Sequence, residues 1–265
     1  MAVLSPVARV RTIWPTWRFL AVWQRHLDAA QHTWVSAALM PAVEPLLTFL
    51  VLGFGLGQFV ELEGGQEYRD FIAPGMLAAF PMWQAVFVCT WEAWMRMESN
   101  RTYHAMIATP VEPEEVAAGD VAWAATLGTL STSYVFLMAL AFGAINSPLA
   151  LLILPLSLVH TAMLGSMALT YTTAIGNSSN LNYFFTIVVL PMFWFGDVFV
   201  PIDTLPEGLQ ALGWFVPTTH TTAIYRGLMN GEVELTMVGD LAWLGAAFAV
   251  FVLLAMRFMR RRLIT

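Results

Sequence analysis

Six long apolar stretches run through this chain, and each has the length of a helix that crosses a lipid bilayer. Such a helix needs about 20 mostly apolar residues, and it satisfies its backbone hydrogen bonds internally where no water is present. The sequence therefore predicts an all-α membrane protein with six transmembrane helices. The approximate stretches are Trp34 to Gly57, Phe71 to Met95, Ala117 to Phe142, Leu149 to Ile175, Tyr183 to Val200 and Met237 to Met259.

The composition agrees with lipid as the main solvent and excludes several chemistries. Only 11% of the 265 residues are charged, against roughly 25% in soluble domains. All 12 basic residues are Arg, so the chain cannot build a P-loop, whose Lys binds nucleotide phosphates. Its single cysteine, Cys89, cannot form an internal disulfide. We predict no catalytic residue, no metal site and no nucleic-acid partner.

The arginines predict the orientation, because positively charged residues concentrate on the cytoplasmic side of membrane proteins. With six spans, Arg69 and Arg226 lie on one side and the other ten arginines on the opposite side. Both termini are therefore predicted to be cytoplasmic. The ten are Arg9, Arg11, Arg18, Arg25, Arg96, Arg101, Arg257, Arg260, Arg261 and Arg262. The opposite side is acidic, with Glu61, Glu63, Glu67, Asp70, Asp203, Glu207, Glu232 and Glu234.

Residues 1–33 are predicted to be a retained cytoplasmic segment without a cleavable signal peptide. Within it, residues 15–30 have a partly amphipathic pattern that begins at a proline. Trp17 lies on the apolar side, and Arg18 and Arg25 flank it, as in a helix that lies in the membrane interface. An ordinary cytoplasmic helix is the alternative. The transmembrane domain is predicted to follow over residues 34–265.

Two connections are longer than simple loops. Residues 201–232 contain two short apolar groups separated near Pro217, which predicts a re-entrant helical hairpin on the outer side, between spans five and six. Residues 97–116 contain a segment with the length of a short amphipathic helix, ended before Pro110. We expect that helix to dock a soluble partner.

Candidate residues for a transport path lie inside three of the spans. Glu44 is an ionisable group within the first span, where it is costly and hence a functional candidate, although a structural pairing is equally compatible with the sequence. Trp83 and Phe87 belong to a row of aromatic residues on one face of the second span. Phe193, Trp194 and Asp197 lie near the outer end of the fifth. Packing or lipid-facing aromatics are the alternative interpretation.

Several segments together resemble the membrane subunit of ABC-2 type exporters, and most closely the nodulation-factor (lipo-oligosaccharide) exporter branch. The segments occur in the same order over nearly the whole chain. They are Glu44-Pro45-Leu46-Leu47 with Gly53-Phe54-Gly55-Leu56-Gly57, then Phe71-Ile72-Ala73-Pro74-Gly75-Met76, Ala108-Thr109-Pro110-Val111 with Gly119-Asp120, and Phe195-Gly196-Asp197-Val198-Phe199-Val200-Pro201 with Pro217-Thr218-Thr219-His220.

The resemblance implies a non-catalytic permease in the bacterial plasma (inner) membrane that exports an amphiphile such as a lipid-linked saccharide, a lipid or a drug. It implies a homodimer in contact with membrane lipids and with two separate ATPase subunits, which hold the ATP and Mg; this chain carries no cofactor. In such proteins the loop helix couples ATP hydrolysis to the spans, which points to Arg101, Tyr103, His104 and Met106. The rival class, a secondary transporter or channel, needs ionisable groups inside the membrane to couple ions. Glu44 is the only obvious deep acidic candidate in the sequence, which argues against that class.

Overall fold

The computed structural model describes residues 15–31, 34–60, 62 and 65–264, and this part of the chain is helical with no strand. Residues 1–14, with Arg9 and Arg11, lie outside the described residues, as do Glu61 and Glu63. The α-helices are α1 Phe19–Ala30, α2 Trp34–Thr48, α3 Tyr68–Phe87, α4 Thr102–Ile107, α5 Pro113–Ala141, α6 Ile153–Ala174, α7 Leu181–Phe184, α8 Leu190–Phe195, α9 Glu207–Gly213, α10 Pro217–Asn230 and α11 Thr236–Ile264.

Five continuous helical segments are long and apolar enough to cross a membrane. They correspond to the first, second, third, fourth and sixth predicted spans. Two continue through non-α turns: α2 into a π-helical turn at Phe49–Gly55, and α3 into π-helical turns at Val88–Glu92 and Met95–Ser99. The five segments are Pro41–Phe59, Tyr68–Ser99, Pro113–Ala141, Pro148–Ala174 and Thr236–Ile264.

The predicted fifth span lies earlier in the sequence than expected. In place of a helix from about Tyr183 to Val200, the chain forms a 3-10 helix at Ser178–Asn180 that runs directly into helical segments of four, five and six residues ending at Phe195. At 1.5 Å per residue the last three segments give about 22 Å of helix, and the 3-10 helix adds about 6 Å, which is close to the roughly 30 Å hydrocarbon core. The helix ends here because Gly196 is its C-cap and Asp197 adopts the left-handed conformation, with φ of 59°.

Different parts of the chain meet at the two ends of the bundle. At one end, which we call the α1 end, Arg260 Nη1 near the C-terminus bonds Glu114 Oε1 at 2.5 Å, and Thr16 Oγ1 donates to the carboxylate of Glu115. Both ends of the described chain therefore lie at the α1 end. At the other end, the hairpin end, Tyr68 donates from its hydroxyl to the carbonyl of Phe199 at 2.9 Å.

The long segment that begins with α3 is the centre of the bundle. It is buried almost throughout, whereas few residues of Pro41–Phe59 and of α11 are buried. The exposed face of α2 and of the π-helical turn that follows it is strongly apolar and includes Leu46, Leu47, Leu50 and Val51. An exposed patch of this kind is covered by lipid or by another protein surface in a membrane protein.

The hairpin region contains the two short helices that the sequence predicted, with the break before Pro217. Helix α10 begins inside the bundle, where Thr218 Oγ1 donates to the carbonyl of Met192 at 2.9 Å. It ends at the surface loop between α5 and α6, where the carbonyl of Met229 accepts from Asn146 N at 3.0 Å. Because α9 exposes Leu212 while α10 is mostly buried, α10 is the arm that packs against the spans.

Candidate functional site

Helix α1 lies against the start of α5 with almost no space between the two backbones. A Cβ added to Gly119 of α5 would come within 2.5 Å of Val22 Cβ, so only glycine fits at this crossing. Trp23 Nε1 also donates to Thr126 Oγ1 at 3.0 Å. Trp17, just before α1, and Leu20 are exposed, and the interfacial position of this segment stays a prediction.

A buried carboxylate, Asp120 of α5, joins four elements at the α1 end. His26 of α1 lies with Nε2 at 2.7 Å from Asp120 Oδ1, and the hydroxyl of Tyr103 of α4 donates to Oδ2. Arg96, in the turn that ends the α3 segment, approaches Oδ2 at 3.5 Å. We call these four residues the Asp120 cluster.

The Asp120 cluster satisfies the charges that it buries. Arg96 also donates to Glu92 Oε2 at 3.0 Å and to the carbonyl of Val88 at 2.9 Å. Burial raises the pKa of Tyr103 well above its ordinary value, so its hydroxyl keeps its proton and serves as a donor. A buried charge is tolerated only when it is paired and hydrogen-bonded, and Asp120 has three partners of this kind.

The predicted loop helix is present as α4, but its side chains face in directions that the sequence did not reveal. Tyr103 is completely buried, so its ring is turned into the bundle, and its part in ATPase coupling stays a prediction. The ring fills the bundle because its hydroxyl pairs with Asp120. Arg101 and His104 are exposed and Met106 is half-buried. Arg101, just before α4, has φ of 48°, a left-handed conformation that is uncommon outside glycine.

Three of the predicted path residues line one cavity of about 180 Å³: Glu44, Trp83 and Phe87. Phe193 and Trp194 continue this set as an aromatic row. The ring centroid of Phe193 lies 5.8 Å from that of Trp83 and 5.5 Å from that of Trp194. The structure therefore places five of the six predicted path residues side by side. Glu44 itself is exposed on α2.

Asp197, the sixth predicted path residue, belongs to a different cluster. Its carboxylate accepts hydrogen bonds from Arg226 of α10 and from Ile202 N, the latter at 3.0 Å. The guanidinium of Arg226 also lies over the ring of Phe71, 4.6 Å from its centroid. Asp197 therefore fastens α10 to the chain that follows α8 and does not line the cavity.

Sequence reasoning did not single out Asp120, His26 or Arg96 as site residues, and it named Tyr103 for coupling without its buried partner. The available signal was a carboxylate inside the third predicted span, and the same rule that singled out Glu44 applied to it. The two other buried histidines are hydrogen-bonded, as expected for structural roles: His160 to the carbonyl of Ala78 at 3.1 Å, and His220 to Asp240 Oδ1 at 2.7 Å. In the described ranges no group of three His, Cys, Asp or Glu could hold a metal ion.

Comparison with known proteins identifies the class to which this arrangement belongs. Residues 18–230 match the family described as ABC-2 type transporter, and the chain belongs to this family. It is therefore an integral membrane subunit of a transporter.

Similar proteins cover most of the chain. "Nodulation protein J" of Rhizobium leguminosarum bv. trifolii is 28% identical over 93% of this chain and 94% of its own length. The protein of the same name from Rhizobium meliloti is 27% identical over 82% of each chain. "Inner membrane transport permease YadH" of Escherichia coli is 21% identical over 91% of this chain and 94% of its own length.

Proposed function

We propose that this chain is the permease subunit of an ATP-driven exporter that moves an amphiphilic substrate out across the bacterial plasma membrane. ATP hydrolysis takes place on two separate ATPase subunits, which dock at the α1 end. The observation that carries the proposal is the Asp120 cluster. It connects α4 to α1, to α5 and to the end of the α3 segment. His104 of α4 and the preceding Arg101 are exposed and available for docking.

The Asp120 cluster supports a coupling role because it makes α4 part of a larger rigid body. Force applied to a surface loop is lost unless the loop is held by interactions that survive the displacement. Tyr103 and Asp120 form a buried hydrogen bond between α4 and α5, and buried charged networks are costly to break. A push on α4 is therefore passed to α5 and, through His26, to α1.

The positions of the two described ends support six crossings. Five long spans alone would leave those ends on opposite sides of the membrane, yet both lie at the α1 end. We therefore infer that the Leu181–Phe195 stretch, extended by the residues up to Phe199, makes the sixth crossing. Together with the arginine bias, this supports cytoplasmic termini and an outer hairpin whose α10 arm re-enters the bundle.

A second copy of the chain is proposed to cover the apolar face of α2, with the substrate passing between the copies. Glu44 supports this assignment because it is exposed among leucines on that face, where an unpaired carboxylate facing lipid is costly. The adjoining cavity of Trp83 and Phe87 and the aromatic row of Phe193 and Trp194 form the wall of the proposed path.

Co-purification tests the assignment directly. The tagged chain, expressed with its chromosomal neighbours, should retain an ATPase subunit through detergent extraction. The double change His104→Glu and Ala105→Glu, on the exposed face of α4, should release that subunit. A matched pair of charge changes at the hairpin end, Glu207→Arg and Glu232→Arg, should leave it bound. Transport without any ATPase subunit would favour the secondary-transporter alternative and end the proposal.

A further inference from the structure

A cavity of about 330 Å³ lies between the ends of α6 and α11, at the α1 end of the bundle. The two helices pack together shortly before it, where Thr170 Oγ1 donates to the carbonyl of Phe251 at 3.1 Å. Beyond this contact α6 soon ends at Ala174, whereas α11 continues to Ile264. We call the space between them the α6–α11 cavity, and its lining residues are Thr173, Ala174, Phe258, Arg261 and Arg262.

The α6–α11 cavity lies at the depth of the lipid head groups. From Thr236 to Arg257, α11 rises about 32 Å at 1.5 Å per residue, and the hydrocarbon core of a bilayer is roughly 30 Å thick. Arg257 and the residues that follow it are therefore at the membrane surface. Few residues of α11 are buried against the rest of the chain, so lipid can approach the cavity along this helix.

One exposed face of α11 changes from apolar to basic at the same depth. Val250 and Leu253 are exposed within the hydrocarbon region, and Arg257 and Arg261 are exposed at its edge. Their spacings of three, four and four residues place all four on one face of the helix. An apolar track that ends in a cationic site matches a molecule with acyl chains and an anionic head group.

The arginines around the cavity favour a phosphate group. Arg262 is held in position, because its Nη2 atom bonds Glu98 Oε1 at 2.9 Å and its guanidinium carbon lies 5.8 Å from the ring centroid of Trp94. Glu98 offsets one guanidinium charge, and Arg257 and Arg261 add two more beside it. Guanidinium groups bind phosphate through paired hydrogen bonds, whereas a trimethylammonium group would be repelled.

We propose that the α6–α11 cavity binds the phosphate of an anionic phospholipid whose acyl chains lie along Val250 and Leu253. Arg261 and Arg262 contact the phosphate from the wall of the cavity, and Arg257 adds positive charge on the bilayer side. The inference goes beyond the proposed function, since neither the exported substrate nor an ATPase subunit takes part in it. The apolar track within the hydrocarbon region favours a lipid over an acidic surface of a soluble protein.

Native mass spectrometry of the full chain, purified with the subunits that it retains, tests the selection. The protein in neutral detergent is titrated with dioleoyl phosphatidylglycerol or dioleoyl phosphatidylcholine, which have the same acyl chains. Each permease copy should retain one phosphatidylglycerol molecule in preference to phosphatidylcholine. Glycerophosphoglycerol, the same head group without chains, should not displace it. Equal affinities for the two lipids, or displacement by the free head group, would overturn the proposal.

The double variant Arg257→Gln with Arg261→Gln identifies the site. It should weaken phosphatidylglycerol binding about 25-fold, because each arginine near an anionic lipid surface contributes a factor of about five. Both side chains are exposed, so the fold should persist.

Arg18→Gln with Arg25→Gln is the matched control, because it removes the same charge at the same end of the bundle but outside the cavity. It should leave the affinity for the first phosphatidylglycerol molecule unchanged. Equal losses in the two double variants would show diffuse attraction to a basic surface and end the inference. The same spectra show whether the ATPase subunit is retained, so a failure of the proposed function is detected separately.

Discussion

The α1 end and the hairpin end each bury an aspartate with an arginine, but they connect different numbers of elements. At the α1 end, Asp120 binds residues of three other elements, and its partner His26 is 94 residues away in the sequence. At the hairpin end, Asp197 binds Arg226, which is 29 residues away and on the neighbouring arm of the same hairpin region. The first is a junction between elements and the second is a local fastening.

This difference indicates how the two ends behave when force is applied. Disruption of the Asp120 cluster weakens the attachment of α1 and α4 together, because His26 and Tyr103 bind the same carboxylate. The packing of α1 on Gly119 would remain. Disruption of the Asp197 pair frees only α10 from the chain after α8, and the remaining packing of α10 on α3 and α6 persists. We therefore expect the α1 end to transmit motion as a unit and the hairpin end to rearrange locally.

The largest effect should come from Asp120→Asn. The variant keeps the shape of the side chain but leaves Arg96 and His26 without their buried anion, and breaking a buried pair from one side costs about 3–5 kcal/mol. We expect a loss of about 3 kcal/mol in unfolding free energy, measured by denaturant titration in mixed micelles, and loss of substrate-stimulated ATP hydrolysis in the complex.

Tyr103→Phe is the companion variant for this test, because it removes only one of the hydrogen bonds to Asp120. It should cost about 1 kcal/mol and reduce coupling without releasing the ATPase subunit. If Asp120→Asn costs no more than Tyr103→Phe, the carboxylate is not the junction that its position suggests.

Gly119→Ala should have the next largest effect, because the added methyl group would meet Val22 at 2.5 Å. Overpacking of this kind costs about 1–3 kcal/mol, and relief requires α1 to move away from α5. Accessibility of His26, measured by chemical modification, should rise. Gly245→Ala on α11 is the control: nothing lies within 4 Å of the added Cβ, and alanine is favoured over glycine in a helix by about 0.5–1 kcal/mol. Equal behaviour of the two variants would mean that α1 is not held by close packing.

The sequence predicted the periodic parts of this molecule and missed its junctions. Long apolar runs determine spans through length alone, so the helices around Gly53, Ala125 and Val250 were placed correctly. The orientation of Tyr103 could not be predicted, because it depends on a carboxylate 17 residues away that lies on another helix. The early end of the fifth span depends on Asp197, which adopts a left-handed backbone conformation. Its carboxylate accepts a hydrogen bond from Arg226, which lies on a later helix and could not be paired with it from the sequence.

Asp197→Asn should have a smaller effect than Asp120→Asn or Gly119→Ala at the α1 end. Asparagine tolerates the left-handed conformation at this position about as well as aspartate, so the substitution removes the charge and retains the backbone. We expect a loss of about 1–2 kcal/mol, since hydrogen bonds to charged groups contribute about 1.5–3 kcal/mol and Arg226 is partly exposed. ATPase binding should not change. A loss of ATPase binding would contradict the view that this end acts locally.

The smallest effect should come from Glu98→Gln, which removes an ion pair at the α1 end without entering the Asp120 cluster. Glu98 accepts from Arg262 Nη2 at 2.9 Å, but the two side chains are 41% and 29% exposed. Water and salt screen such a pair, and exposed ion pairs contribute about 0.2–1 kcal/mol. We expect a loss below about 0.5 kcal/mol, further reduced at high ionic strength, whereas the cost of Asp120→Asn should be almost independent of salt because its partners are buried. If Glu98→Gln cost as much as Asp120→Asn, the strength of the α1 end would come from its number of charge pairs. The α1 end would then not differ from the hairpin end through the burial of its charges or through the binding of several elements to Asp120.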